Sequence, residues 1–260
     1  MEIHTAFYDQ GEVLDYENVL EWNVTDQVEK ETNTGINKIR TGDILLFSAS
    51  GILSSVIKAF TFSKWNHIGI ACWCHLKMDD GSERTELFCY EMGSQPYQDL
   101  ITKKVIDKGV RLVRLGNIAE MYDLISVRKI VRGKDWKLER LPEFMDKWKD
   151  TPFPKVFVLL KAYAIRPGYA KGQVTCAQLT ALMLHHMKVI KLNFDPSQLT
   201  PGHFADGSKA FSDSIFIGKE YIIHKDDKWL KKRQYFIFAI VIILIIIVLI
   251  LHNKKWRNMR

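Results

Sequence analysis

Cysteine, proline and glycine are all sparse in this chain of 260 residues: 4, 7 and 15 of them. Four cysteines in a chain this long do not make a disulfide scaffold. So few glycines and prolines exclude collagen-like and low-complexity compositions. No internal repeat is visible. Hydrophobic residues make up 47% and charged residues 26%, the balance of an ordinary folded protein of one or two domains.

A positively charged folded domain is also missing, although the net charge is +7. Residues 225–260 hold nine basic side chains and two acids, which accounts for all of it. Residues 1–224 then carry 28 of each sign and balance to zero. A nucleic-acid binder needs its charge on the folded part, so no nucleic-acid partner is expected.

The basic tail surrounds the one long hydrophobic run, Tyr235 to Leu251, without charge, Gly or Pro. As a helix it rises about 26 Å, close to the hydrocarbon thickness of a thin bilayer. Lys231, Lys232 and Arg233 precede it; Lys254, Lys255 and Arg257 follow. Their long stems reach headgroups, and Trp229 and Trp256 suit an interfacial belt. The amino-terminal residues are acidic and lack the apolar core of a signal peptide. The expectation is a single-pass membrane protein anchored at its C-terminus, its domain in the cytosol with reduced thiols. The divisions expected are a leader at 1–36, a domain at 37–224, a basic linker at 225–234, the span at 235–251 and a short basic tail at 252–260.

Within the domain, TGDILLFSA (41–49) predicts a turn and a strand, and ILSSVIKAFT (52–61) has helical spacing. HIGIACWC (67–74) and TELFCYEMG (85–93) predict two strands joined by a hairpin turn at Asp79, Asp80 and Gly81. Val110 to Leu115 is a further strand, Leu141 and Cys176 each open a helix, and Ser214 to Ile223 is a final strand. A short helix is expected at Tyr16 to Trp22. Strands and helices do not alternate regularly, which argues for α+β with an antiparallel sheet. The stretch Lys103 to Arg140, with eleven basic and five acidic residues, reads as a solvated face or as a surface toward anionic groups.

Cys176 is the first candidate for chemistry. Thr175 followed by Gln178 is a capping-box pattern, which puts Cys176 at the first helical position. Free amides and the positive end of the helix dipole lie there and favour a thiolate and an oxyanion. Its structural alternative is a buried, inert cysteine. A thiolate nucleophile needs a base. His185 and His186 lie nine and ten residues along the same helix, too far to reach its first turn. His67 opens an apolar strand and is the better candidate. A third group should orient the ring. Glu91 stands in an apolar strand, where a carboxylate needs a partner, and shares strand parity with Cys89 as His67 does with Gly69 and Ala71. Glu86 falls on the other parity. Cys72, Cys74, His75 and Cys89 invite a zinc reading, but the first two point away from Cys89, and the spacing matches no standard zinc pattern. No metal and no cofactor is called for.

These segments together resemble the permuted papain-like amidases of the NlpC-type thiol hydrolase superfamily. That group includes bacterial enzymes, lecithin:retinol acyltransferase-like proteins and members from large DNA viruses. TGDILLF is similar to their opening strand, WNHIGIA to their His segment and VTCAQLTALML to their Cys-bearing helix. The strand ending at Glu91 and LTPGHFAD also match in order, over roughly Lys38 to Asp206. Ala177 departs from the Ser often found after the nucleophile, and Asn117 to Pro154 shows no matching pattern. The resemblance implies a permuted papain-like fold and a Cys176–His67–Glu91 thiol hydrolase or acyltransferase. It would cleave an amide, ester or thioester through an acyl-thioenzyme. With the anchor, a lipid or an acylated protein or peptide becomes the expected substrate. Asp43 is expected to fix a turn. The rival is a membrane-tethered adaptor that keeps the fold without turnover.

Overall fold

The computed structural model describes residues 16–25, 39–154, 173–211 and 213–225. The chain divides into two units, 1–225 and 226–260. The second, with the apolar run expected to span a membrane, lies outside the described residues. No described helix is long and apolar enough to cross a membrane.

The fold is α+β, built on one seven-stranded sheet in which every described pairing is antiparallel. Its strands are β1 (Val19–Thr25), β2 (Ile44–Ser48), β3 (His67–Met78), β4 (Glu83–Gly93), β7 (Gly109–Arg114), β8 (Leu124–Ile130) and β9 (Phe216–Lys225). The spatial order is β7-β4-β3-β2-β8-β9, with β1 beside the distal half of β3. A two-stranded hairpin, β5 (Tyr97–Gln98) and β6 (Val105–Ile106), stands apart. The helices are α1 (Ile52–Thr61), α2 (Leu115–Ala119), α3 (Arg140–Trp148) and α4 (Cys176–His186).

β3 is buried without interruption from His67 to Cys74, which explains why its sequence does not alternate: apolar groups cover both faces. On one face Ala71, Trp73, Leu87, Cys89, Val113, Leu45, Phe47 and Val127 form the core. His67, Gly69 and Glu91 continue that face toward the end of the sheet. The turn between β3 and β4 closes with Met78 N–H donating to the Ser82 carbonyl at 2.8 Å, and Gly81 adopts φ +82°. That left-handed geometry is what glycine tolerates.

One expectation is corrected. Tyr16 to Trp22 is not a helix: a single 3-10 turn at Tyr16–Asn18 leads into β1. β2 pairs with β3 only from His67 to Ile70, so the remaining edge of β3 is open for Val19–Thr25, and the β-branched and aromatic residues there suit a strand. Asp43 does fix a turn. Its buried carboxylate accepts from the Arg40 amide at 2.8 Å and the Ile130 amide at 3.2 Å. Burial raises its pKa, partly offset by those two amides.

Candidate active site

The hairpin between β3 and β4 brings the predicted histidine and carboxylate together. Across the ladder Gly69 pairs with Glu91, so His67 lies two residues along the same face. His67 Nε2 and Glu91 Oε2 are 2.5 Å apart. A side chain at Gly69 would overlap Cys89 Sγ and crowd Glu91; the small residue leaves room for the carboxylate beside His67.

The nucleophile candidate arrives from far along the chain. Thr175 is the N-cap of α4, in extended conformation, and its hydroxyl accepts from the Gln178 amide at 3.2 Å. The return bond of a capping box is not made: Gln178 Oε1 is buried without a partner. Cys176 occupies the first helical position and is 7% exposed. Its amide and that of Ala177 have no acceptor inside the helix. α4 packs against β3 and β4, which brings Cys176 and His67 onto the lining of one cavity, close enough for the cysteine to act electrostatically on the imidazole. Because Nε2 is taken by Glu91, Nδ1 is the nitrogen left for sulfur.

Aromatic rings fix the imidazole from the sides. Phe47 lies 5.3 Å from it and Tyr122 stacks on it at 5.8 Å with the rings 3° from parallel. Asn66, just before His67, accepts from the Ala49 amide at 2.8 Å and donates to Ser54 at 3.2 Å. It thereby ties the start of β3 to the β2–α1 connection.

Arg111 on β7 was not foreseen. It pairs with Glu91 across the β4–β7 ladder. Its Nε and Nη2 donate to Glu91 Oε1 at 2.8 and 2.5 Å, and both residues are essentially inaccessible, at 1% and 0%. One carboxylate oxygen therefore faces His67 and the other faces the guanidinium. Two signals pointed there: a buried carboxylate requires charge compensation, and Gly93, beside the guanidinium, has no room for a side chain.

Burial alone would raise the Glu91 pKa, but His67 and Arg111 overcome it and hold the carboxyl below its ordinary range. For His67 burial works downward, while the Glu91 charge and Cys176 push upward; the net direction is up. The carboxylate and the imidazole therefore favour each other's charged forms. The other three thiols, Cys72, Cys74 and Cys89, are fully buried and shifted up by desolvation, which disfavours their thiolates.

A cavity of about 460 Å³ opens onto Cys176 and His67. Ile57, Met92, Met121 and Phe153 give it apolar walls; Ser94 and Lys108 are polar. The remaining candidates sit elsewhere. Glu86 pairs with Arg114 at 2.7 Å on the opposite face of the sheet. His185 and His186 bind the carbonyls of Ile190 and Arg140 at the far end of α4. Cys72 and Cys74 share a face of β3 that Cys89, paired with Ala71, does not.

The sequence matches no described protein-family model and no curated protein. Among solved structures it is similar to the metalloprotein yiiX from Escherichia coli O157:H7 (DUF1105), with 13% identity and a TM-score of 0.40. That match covers 59% of this chain and 69% of the other. A likeness of that size carries neither a family nor a function.

Proposed function

We propose that the protein is a thiol hydrolase or acyltransferase of permuted papain-like architecture, with Cys176 as nucleophile, His67 as acid and base, and Glu91 as the group that orients the ring. The observation that carries this reading is that His67 from β3 and Cys176 from the N-terminus of α4 line one cavity, with Glu91 from β4 buried behind the imidazole at 2.5 Å.

The chemistry follows from the geometry. The Cys176 thiol gives its proton to His67, and the sulfur attacks an acyl carbonyl, forming a C–S bond while the carbonyl electron pair moves onto oxygen. The Cys176 amide, at the positive end of α4, is the donor this reading assigns to that oxyanion. The intermediate collapses, the bond to the leaving amine, alcohol or thiol breaks, and the His67 imidazolium supplies the proton. Water, or an acceptor in a transfer reaction, then gives a proton to His67 and attacks the acyl carbon; the C–S bond breaks, and the proton returns from His67 to sulfur, restoring the thiol.

The apolar walls of the cavity and the uncharged run at 235–251 support an acyl substrate presented at a membrane, either a lipid or an acylated protein or peptide. The test is to incubate the full chain in detergent micelles with mixed lipids and with N-acyl peptides, then search by mass spectrometry for an acyl adduct on Cys176. The reading expects an adduct in the wild type and none in Cys176→Ala. No adduct from either substrate class, or one that persists in Cys176→Ala, contradicts it.

A further inference from the structure

We propose that Arg111 is a positioning residue for this site: its guanidinium offsets the buried Glu91 charge and locks the carboxylate, so that the Cys176–His67 pair gives up its proton at a lower pH than it otherwise would. The inference rests on the catalytic reading above and names a control over the same site.

Arg111 is built into place from every side. Nε and Nη2 are spent on Glu91 Oε1. Nη1 donates to the carbonyl of Gln95 and, at 3.3 Å, to that of Ile106. The Tyr97 ring covers the guanidinium at 5.0 Å, and Gly93 leaves space that any side chain would fill. Such a planar fork serves two oxygen partners at fixed angles, which an ammonium does not do. With Oε1 held this way, Oε2 is the oxygen left for His67, and both ends of the carboxylate are tied.

The groups around the pair are Glu91 and Cys89 from β4, Arg111 from β7, Tyr122 ahead of β8, Tyr97 from β5 and Lys108 at the cavity rim. On the α1 side Lys58 lies near Asp123, which is bonded to Ser50. Arg111 is the one buried permanent cation among these. Removing a positive charge from a poorly hydrated cluster raises the pH at which every acid in it loses a proton. A neutral residue at 111 would leave the carboxylate to hold the imidazolium more tightly, and the reacting form would be reached only at higher pH.

The experiment is the pH dependence of iodoacetamide alkylation of Cys176 in the full chain, followed by mass spectrometry of its peptide. Circular dichroism and thermal melting verify folding. Arg111→Gln should move the midpoint upward by about one pH unit, and Arg111→Lys, which keeps the charge but not the fork, should return it toward wild type. An Arg111→Gln midpoint equal to wild type, or an Arg111→Lys profile indistinguishable from Arg111→Gln, overturns the proposal. If Arg111→Gln does not fold, Glu91→Gln is compared with Glu91→Gln/Arg111→Gln. The single variant should titrate about one unit below the double; equal midpoints overturn the proposal. A wild-type profile like that of a free thiol rejects the catalytic reading itself, and this inference with it.

Discussion

Gly69 stands directly opposite Glu91 in the β3–β4 ladder, and the absence of a side chain there leaves room for the carboxylate on the face that carries His67. A Cβ at that position would run into Cys89 Sγ, lie 3.1 Å from the Tyr90 carbonyl and 3.3 Å from Glu91 Cβ. Gly69→Ala should therefore destabilise the protein by about 1–3 kcal/mol, as overpacking does, and slow the labelling of Cys176. Thermal melting and labelling rates measured together verify this; wild-type values for both would contradict it.

The stability of the site should depend on pH in a definite sense. His67 is raised in the folded state, so its stabilising contribution is full below the unfolded imidazole value of about 6.5 and fades as pH rises through the folded value. Glu91 is depressed, so its contribution is full above about 4.3 and fades as pH falls through the folded value. The pair contributes most between those two limits. Urea unfolding of wild type and His67→Gln should show a larger stability difference at about pH 5.5 than at about pH 9.5. A difference that grows toward alkaline pH would contradict the assignment.

Two substitutions separate positioning from support. Thr175→Ala removes the α4 cap and should cost about 1 kcal/mol, with slower Cys176 modification that Thr175→Ser restores. Asp43→Asn weakens the buried acceptor for Arg40 and Ile130 and should lower stability by about 1–3 kcal/mol. It should leave the pH midpoint of Cys176 alkylation unchanged, because Asp43 lies outside the cavity lining. A shifted midpoint in Asp43→Asn would show that the turn does more than hold β2.

The reading of residues 235–251 as a span makes its own prediction. The full chain should stay with membranes through alkaline carbonate extraction, and deletion of that run should release it. Release of the full chain would contradict the span.

Much of this arrangement was legible in the sequence because it rests on local rules. Strand parity set His67 and Glu91 on one face, and Thr175 marked the helix start that Cys176 occupies. β1 was misread because its partner is an edge of β3 that only the three-dimensional pairing reveals. Arg111 was hidden by its surroundings. In GVRLVR, Arg111 and Arg114 look alike, and a stretch rich in Lys and Arg reads as a solvated surface. Only the β4–β7 register turns Arg111 inward onto Glu91, while Arg114 meets Glu86 on the other face. The signal that could have found it was the unpaired charge already assigned to Glu91.

The proposed site depends most on the proximity of Cys176 and His67 on one cavity, which a short bis-alkylating reagent reads directly. Treated with 1,3-dibromoacetone, the wild-type chain should yield a cross-linked pair of peptides joined through Cys176 and His67, absent in His67→Ala. Single-site alkylation of Cys176 with no bridge, or a bridge to another residue, would contradict the proposed site.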